Sequence, residues 1–354
     1  MGVPDQTIWE IEPHTLAKHE ILRRYLEAWF PIMSSWNTRV LFIDGFAGPG
    51  VYANGEPGSP RIALEAAAKI RPAAGTTALF LFNEKDPARF ATLDKWCSEH
   101  KQSSDVKVAT RNQDFTELAE EIIERRGVKT LVPTFAFVDP FGFKVPIETI
   151  ASLVRDQRSE LFILFSYNSV NRWIGHPQQQ ENMQALFGCD EYRGAEGLPP
   201  TQRKEFLANL YERQLTHYGK FEHVSRFEMV ESRGRTSYFL YHCTRSLKGL
   251  EVMRSAMWKI DPESGCQFSD RVAGLDSLFD EPIAFDLDQR LAAHFSGRTV
   301  SVKEVQNFVL TGTPFALEHL KVKTLKPMQE RGEITCLNQK RVGTFPDRVL
   351  IKFL

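Results

Sequence analysis

The sequence predicts an α/β protein built on a Rossmann-like, doubly wound and mostly parallel sheet, with a smaller domain at the C-terminal end. Two observations support this prediction. Short, uniformly apolar runs alternate with helical patterns from residue 40 to residue 165, and such runs are typical of strands covered on both faces. After residue 288 the pattern changes to three helices followed by two strands. Alternation of strand and helix indicates repeated βαβ units in the first part.

The elements follow one another in a regular order. A helix over residues 14–30 is predicted first, because its apolar residues form one stripe. The five predicted strands are residues 40–43, 78–82, 106–109, 135–138 and 161–165. The predicted helices between and after them are residues 59–70, 87–99, 115–126 and 146–154. Right-handed crossovers place the carboxyl ends of these strands along one edge of the sheet, where ligands bind in such folds.

A second group of elements is predicted to complete the first domain. Residues 168–200 form a long polar insertion, and residues 202–218 return to helical spacing. The runs 221–230 and 237–243 flank a turn that contains glycine, which predicts an antiparallel hairpin closing the sheet. A helix over residues 247–258 follows. The first domain is therefore predicted to span residues 1–265.

The C-terminal part has a different organisation. Gly, Pro, Ser and Asp cluster after residue 261, which predicts a linker over residues 266–288. The predicted helices beyond it are residues 289–295, 302–310 and 315–331, and the predicted strands are residues 333–337 and 348–353. Three helices and a β-ribbon predict a winged helix over residues 289–354. Lys and Arg outnumber Asp and Glu after residue 301, so this domain is expected to contact nucleic acid.

Composition narrows the class of protein. The 354 residues are 42% hydrophobic and 25% charged with a net charge of -1, which is ordinary for a globular protein and favours no charged partner overall. The five cysteines form no C-x-x-C pair, so reduced thiols are expected and no metal site is predicted. Neither a signal peptide nor an apolar run of membrane-spanning length is apparent, and a cytoplasmic location is expected.

The strongest local signal is a glycine-rich loop after the first strand. The apolar strand ends in a carboxylate, and glycines let the following backbone approach a ligand closely. A carboxylate here would repel a pyrophosphate. S-adenosylmethionine (SAM) carries a sulfonium and an ammonium and no phosphate, so the loop favours SAM over NAD or ATP. An ordinary tight strand-to-helix turn is the alternative. The predicted cofactor-binding residues of the loop are Asp44, Gly45, Phe46, Ala47, Gly48, Pro49 and Gly50.

Two further candidate cofactor contacts follow the second and third strands. Glu84 stands where a carboxylate can accept hydrogen bonds from both ribose hydroxyls, although a strand-end charge or helix cap would look the same. Asp114 is placed to accept a bond from the adenine amino group, with Phe115 against the ring. Asp114 is also a plausible N-cap, with Glu117 completing a capping box, and both roles are compatible.

The fourth strand ends in the segment Asp139, Pro140, Phe141 and Gly142, which is the candidate catalytic site. The Asp139 carboxylate and the Pro140 carbonyl are two neighbouring acceptors that would orient an exocyclic amine. Phe141 would stack on a planar acceptor. Such chemistry depends on orientation and desolvation more than on a strong base. The alternative is a β-turn in which Pro140 and Gly142 only set the chain direction.

Other polar residues are candidate substrate or cofactor contacts. Lys18 and His19 lie on the first predicted helix, and Asn168 and Arg172 follow the fifth strand at the same sheet edge. The alternative for His19 is a surface or helix-packing histidine. Asn168 and Arg172 would alternatively cap a helix or pair with neighbouring charges.

Taken together, these segments resemble the three-Cys-motif partner proteins (TcmP) of bacteria and phages. The matching pieces are residues 15–19, residues 42–50, Gly58-Ser59-Pro60, residues 135–143, and Gly249 with Met253, Met257 and Trp258. The resemblance implies a class I SAM-dependent methyltransferase-like fold and a C-terminal winged helix-turn-helix domain. It also implies a separate, radical-SAM-like partner protein that carries the three-cysteine motif. Ser59 joins the candidate contacts through this resemblance.

The segment Asp139–Gly142 also resembles the fourth motif of tRNA guanine-N2 methyltransferases, and it departs from the D-P-P-Y pattern at Phe141. The predicted function is SAM-dependent N-methylation of a nucleobase in tRNA or DNA, together with the three-Cys-motif partner. Two alternatives remain open: a SAM-binding regulatory subunit without methyl transfer, and a methyltransferase for a peptide or small molecule. A nicotinamide oxidoreductase is disfavoured by Asp44 in the glycine loop.

Overall fold

The chain forms two compact units, which are described here from a computed structural model. The first comprises Met1–Ser246 with Phe268–Ala273, and the second comprises Leu247–Gln267 with Gly274–Leu354. The structure describes residues 6–69, 75–100, 103–127, 132–271 and 286–354. Most of the predicted linker, residues 266–288, lies outside the described residues, so the predicted domain division stays a prediction.

The first unit is organised around a mixed, mostly parallel sheet. Its strands are β1 (Arg39–Asp44), β2 (Thr77–Asn83), β3 (Val106–Arg111), β4 (Thr134–Val138), β5 (Ser159–Phe165), β6 (His223–Val230), β7 (Thr236–Thr244) and β8 (Gln267–Ser269). The strand order is β3-β2-β1-β4-β5-β7-β6-β8. Strands β1 to β5 are parallel, and β7 runs antiparallel to both β5 and β6. This is the class I methyltransferase form of the Rossmann-like fold, which confirms the predicted fold class of the first unit, whereas the C-terminal winged helix stays a prediction.

Helices connect the strands and cover the sheet. They are α1 (Pro13–Ser34), α2 (Ser59–Lys69), α3 (Pro87–Glu99), α4 (Phe115–Arg126), α5 (Ile147–Leu153), α6 (Tyr167–Trp173), α7 (Gln180–Phe187) and α8 (Pro200–Gly219). The helix α1 is longer than predicted and includes Pro31. The stretch 168–200, expected as a polar insertion, contains α6 and α7, because Val170, Met183 and Phe187 are buried in the core.

The core has two layers because neighbouring residues of a strand face opposite sides of the sheet. On one face Phe42 stacks on Phe135 with ring centroids 6.0 Å apart, and Tyr25 of α1 lies 5.2 Å from Phe135. On the other face Ile43 and Ala136 join the apolar cluster that includes Leu207 of α8. Every residue of β4 and β5 is buried, as the uniformly apolar runs predicted.

The second unit contains helices and a small antiparallel sheet. Its elements are α9 (Leu247–Ile260), α10 (Leu287–Phe295), β9 (Thr299–Ser301), α11 (Val302–Gly312), a 3-10 turn (Leu317–His319), a π-helical turn (Lys321–Leu325) continuing into α12 (Lys326–Glu330), β10 (Ile334–Cys336) and β11 (Leu350–Phe353). The sheet order is β10-β11-β9. Trp258 of α9 packs on Phe315 and donates to the Pro314 carbonyl at 2.9 Å, so α9 belongs to this unit's core. Among the described residues, no helix has the length and apolarity to span a bilayer.

Candidate functional site

The carboxyl ends of β1, β2 and β4 bring three of the four predicted acidic residues to one edge of the sheet. Asp44, the last residue of β1, pairs with Phe82 of β2 on one side and Phe137 of β4 on the other. Glu84 follows β2 directly, and Asp139 follows β4 directly. The parallel register therefore gathers residues that are far apart in sequence.

The glycine loop is held tightly against this edge. Gly45 donates to the Phe137 carbonyl at 2.9 Å, and Ala47 donates to the Asn83 carbonyl at 2.8 Å. A Cβ on Gly45 would lie 2.5 Å from the Phe115 ring, so no larger residue fits at this position without movement. Gly48 and Gly50 have φ values of 61° and 76°, in the left-handed region that glycine adopts readily.

Asp44 is the most buried acidic group of the site. Its side chain is fully buried, and its Oδ1 atom accepts a bond from the Phe46 N–H at 3.1 Å. The Oδ2 atom has no hydrogen-bond partner within the described part of the chain. Burial raises the pKa of Asp44 to about 7, against the opposing effects of Ser59 and the Phe46 N–H, and the negative charges of Asp139 and Glu84 raise it further. A cationic group beside Oδ2 would stabilise the carboxylate.

Glu84 anchors the loop to the end of β2. Its carboxylate accepts bonds from the Gly48 N–H at 2.9 Å and the Asp86 N–H at 2.7 Å. Burial raises the pKa of Glu84, while these two backbone donors act in the opposite direction. Each carboxylate oxygen can accept a second bond, so Glu84 retains acceptor capacity for a ligand hydroxyl.

Asp114 caps α4 as the sequence predicted, but the capping box predicted with Glu117 is wrong, because the Asp114 carboxylate accepts from Thr116 instead. Its carboxylate accepts a bond from the Thr116 N–H at 2.8 Å and contacts Lys85 Nζ at 2.9 Å. Burial acts to raise the pKa of Asp114, but Lys85 and the Thr116 N–H outweigh it and lower the pKa overall. The next residue, Phe115, is buried against Phe46, with ring centroids 5.2 Å apart.

A narrow cavity of about 40 Å³ lies along the glycine loop. It is lined by Trp9, His19, Phe46, Ala47, Gly48, Pro49, Gly50, Val51, Tyr52, Gly58, Ser59, Asp139 and Phe141. The predicted contacts His19 and Ser59 therefore meet the glycine loop here. We call this space the loop cavity.

His19 faces the loop cavity as a neutral imidazole. Burial holds the pKa of His19 well below its usual range, and the nearby charges of Lys18 and Arg23 lower it further. Its Nδ1 atom has no hydrogen-bond partner within the described residues. The ring lies 5.7 Å from the Tyr52 ring. A neutral ring nitrogen in this position is available for a bond to a ligand.

A larger cavity of about 330 Å³ adjoins the segment after β4. It is lined by Trp9, Glu10, Glu12, Thr15, Lys18, Tyr52, Asp139, Pro140, Phe141, Gly142, Leu164, Ser166, Ser237 and Tyr238. All four predicted catalytic residues line it. We call it the acceptor cavity. Trp9, Tyr52, Asp139 and Phe141 line both cavities, so these four residues form the boundary between them.

Sequence reasoning missed the N-terminal strap, which we define as residues 6–12. The Trp9 carbonyl accepts a hydrogen bond from the Ala53 N–H at 2.8 Å. The centre of the Trp9 ring lies 5.6 Å from that of Tyr52 and 6.4 Å from that of Phe141. Arg89 places its guanidinium 4.8 Å from the Trp9 ring and 5.8 Å from the Phe141 ring. The strap has no helical or strand periodicity, and its aromatic residue was its one sequence signal.

Asn168 and Arg172 lie on α6, after β5, and neither is among the residues that line the two cavities. Ser166, which precedes that helix, does line the acceptor cavity. Ser166, directly after β5, thus reaches the acceptor cavity, whereas Asn168 and Arg172 on the following helix do not line it. Their predicted role as ligand contacts stays a prediction.

No family model matches the chain, and no curated protein sequence matches it. Solved structures do resemble it. Trm1 from Pyrococcus horikoshii, in complex with S-adenosyl-L-methionine, aligns over 99% of this chain and 93% of its own with 10% identity and a TM-score of 0.42. The O-methyltransferase from Bacillus cereus in complex with SAH covers 63% and 80% with 15% identity and a TM-score of 0.34. A structure described as an O-methyltransferase from Klebsiella pneumoniae covers 63% and 80% with 10% identity and a TM-score of 0.34.

The close approach of Phe115 to Gly45 predicts the effect of a methyl group at this position. Gly45→Ala is expected to lower the free energy of unfolding by about 1–3 kcal/mol, the usual cost of overpacking, because its Cβ would lie 2.5 Å from the ring. Urea denaturation measures this. Gly175→Ala is the matched control, since no atom lies within 4 Å of its Cβ position. An equal cost of Gly45→Ala in a Phe115→Ala background would contradict the explanation.

Proposed function

We propose that the chain is a SAM-dependent methyltransferase that transfers a methyl group to an exocyclic nitrogen of a nucleobase in tRNA or DNA. One observation carries the proposal. Asp139 and Phe141 line both the loop cavity and the acceptor cavity, so a cofactor beside the glycine loop and an acceptor would meet at these residues.

The acidic residues at this edge of the sheet fit SAM in charge, and of them Asp139 also lines the loop cavity. The buried Asp44 Oδ2 atom lacks a partner, and a sulfonium or ammonium group would supply a positive charge near it. The loop from Asp44 to Gly50 would hold the methionine part, Glu84 would accept bonds from the ribose, and Asp114 with Phe115 would contact the adenine. A polyphosphate would instead meet the negative charges of Asp44, Glu84 and Asp139.

The size of the loop cavity adds a requirement. Its volume of about 40 Å³ is small beside the roughly 300–1,000 Å³ of typical small-molecule sites. The strap and Tyr52 form part of its wall, and the contacts of Trp9 with Phe141 and Arg89 hold the strap in place. Entry of a cofactor into this space would be eased by an outward movement of the strap.

The acceptor residues would act by orientation. Asp139 and the Pro140 carbonyl would each accept a hydrogen bond from one N–H group of the amine. Phe141 would contact the plane of the base. SAM, when bound, supplies an electrophilic methyl group. With SAM bound, the lone pair of the acceptor nitrogen would form the new N–C bond, the electrons of the broken S–C bond would stay on sulfur, and the surplus proton of the nitrogen would pass to water.

The second unit supports a winged-helix, nucleic-acid-binding role as part of the same proposal. We propose that this unit is a winged helix, and its element order, from α10 through β9, α11 and α12 to β10 and β11, supports the proposal. Lys323 and Lys326 are exposed on the segment around α12, and Lys340, Arg341 and Arg348 are exposed between β10 and β11. These cations would contact phosphates without reading base sequence.

Association with a three-Cys-motif, radical-SAM-like protein is also proposed, on the basis of the sequence resemblance alone. Co-expression of the two chains followed by light scattering tests it. A single peak with the summed mass is expected. Two separate peaks at micromolar concentration would contradict the association.

The pKa of Asp44 predicts how SAM affinity depends on pH. Because burial raises this pKa to about 7, the Asp44 carboxyl is mostly protonated in more acidic solution. It must then lose that proton before it can bind a cation. The affinity is expected to be highest above this pKa and to fall about twentyfold between pH 7.5 and pH 5.5, by proton linkage. Isothermal titration calorimetry in buffers of different ionisation enthalpy measures affinity and proton release together. Asp44→Asn should bind weakly with little pH dependence over this range, and a wild-type affinity that does not change with pH would contradict the assignment.

The role of Asp139 predicts a loss of methyl transfer with retained cofactor binding. Asp139→Asn is expected to lower transfer from tritiated SAM to total RNA or DNA by about 100-fold, because acceptor orientation is lost. The nucleic acids are taken from cells that lack the gene. SAM should still bind, with a change in its dissociation constant much smaller than the loss of transfer. Undiminished transfer by Asp139→Asn would remove it from the acceptor site, and SAM binding without transfer by the wild type would favour the regulatory alternative.

The exposed cations of the second unit predict a salt effect. Lys323→Ala with Arg341→Ala is expected to weaken binding of a fluorescent tRNA or DNA duplex and to reduce the slope of log affinity against log salt by about 2. Fluorescence anisotropy at several salt concentrations measures the slope. Lys95→Ala, which removes an exposed charge from α3 in the first unit, is the control. An unchanged slope in the double variant would exclude this surface from phosphate contact.

A further inference from the structure

Lys18 is buried in the first unit and paired with the candidate acceptor residue. It lies on α1, is 4% exposed, and its Nζ atom contacts Asp139 Oδ2. The same ammonium lies 5.8 Å from the centre of the Tyr238 ring. Lysine is rarely buried to this extent without a partner, and removing one member of a buried pair is costly. This pair is therefore fixed within the site.

The charges around the acceptor cavity are unequal. Glu10, Glu12 and Asp139 contribute three carboxylates, and Lys18 is the one cationic residue among the described residues that line the cavity. Lys18 nevertheless contacts Asp139 rather than either glutamate. Lys18 is thus paired with the carboxylate that lies at the boundary between the two cavities.

The contact leaves the two oxygens of Asp139 unequal. Oδ2 is engaged by Lys18, while Oδ1 accepts a hydrogen bond from no described residue. The second side-chain torsion of an aspartate has a broad, roughly two-fold profile, so an unpaired carboxylate rotates easily. An anchored ammonium on Oδ2 restricts this rotation and fixes the direction of Oδ1.

We propose that Lys18 is a positioning residue, which holds Oδ2 of Asp139 in place. Oδ1 and the Pro140 carbonyl can then each accept a hydrogen bond from one N–H group of the acceptor amine. The proposal rests on the proposed function and adds a residue to it. Lys18 does not react; it acts through Asp139. A purely structural ion pair would stabilise the fold without any specific effect on turnover.

The first test compares variants of Lys18 in tritium transfer from SAM to total RNA and DNA. Lys18→Met, which keeps most of the length of the side chain but removes its charge, is expected to lower kcat by about 30-fold or more, because the orientation of Asp139 is lost. Its SAM dissociation constant should stay within about threefold of the wild type. Lys18→Arg retains a cation and should restore most of the rate. Arg24→Met is the matched control, because it removes an exposed cation from the same helix.

The second test is a double-mutant cycle on kcat with Asp139→Asn. If Lys18 acts through Asp139, adding Lys18→Met to Asp139→Asn should cost almost nothing further. Independent, multiplicative losses would overturn the proposal, and so would a Lys18→Met variant with wild-type kcat. Thermal unfolding of every variant checks the fold. Should Lys18→Met not fold, Lys18→Gln, which can still donate to Oδ2, takes its place and is expected to lose less activity.

A third measurement separates this inference from the proposed function. If the wild type binds SAM but transfers methyl groups to no nucleic acid, the proposed acceptor class fails. A crystal structure of Lys18→Met with S-adenosylhomocysteine then decides the role of Lys18. A rotated Asp139 carboxylate would support the positioning role, and a carboxylate oriented as in the wild type would overturn it.

Discussion

The burial of Asp44 at the end of β1 is the constraint on which the site depends. Its place between β2 and β4 removes the carboxyl from water, while the Phe46 N–H satisfies only one of its two oxygens. Burying a charge with so few partners is unfavourable, and the raised pKa of Asp44 expresses that cost, even though Ser59 and the Phe46 N–H act against it. The chain thus keeps a group at the centre of the sheet edge that a cationic ligand would stabilise. Any ligand that brings further negative charge would increase the cost.

The neighbouring residues preserve this arrangement by packing and by backbone hydrogen bonds. Glu84 accepts from Gly48, and the Asn83 side chain donates to the Gly45 carbonyl at 3.1 Å, so the end of β2 holds both ends of the glycine turn. Phe115 fills the space that a side chain at position 45 would need. The loop is therefore rigid where it meets the sheet. Any movement that admits a cofactor would therefore occur in the opposite wall of the loop cavity, which consists of the strap and Tyr52.

The sequence predicted the part of the site that local patterns encode. Apolar runs marked β1, β2, β4 and β5, whereas the run of β3 includes Lys107 and this strand is partly exposed. The spacing of glycines marked the loop, and strand ends marked Glu84 and Asp139. The cap at Asp114 followed from its position before a helix, although its bond goes to Thr116 and Lys85. Trp9 and Tyr238 left no such pattern, because they reach the acceptor cavity only through tertiary folding. The pair between Lys18 and Asp139 joins residues 121 positions apart, and no local pattern encodes such a contact.

The shared boundary between the cavities links cofactor and acceptor binding physically. Trp9 lines both spaces and contacts Phe141, which also lines both. A movement of Trp9 that enlarges the loop cavity therefore changes the wall of the acceptor cavity as well. Arg89, whose guanidinium lies near both the Trp9 and the Phe141 rings, resists that movement through cation–π attraction, which is worth about 2 kcal/mol when desolvated. If a cofactor displaces Trp9 on entering the loop cavity, the wall of the acceptor cavity changes with it, because the same residue lines both spaces.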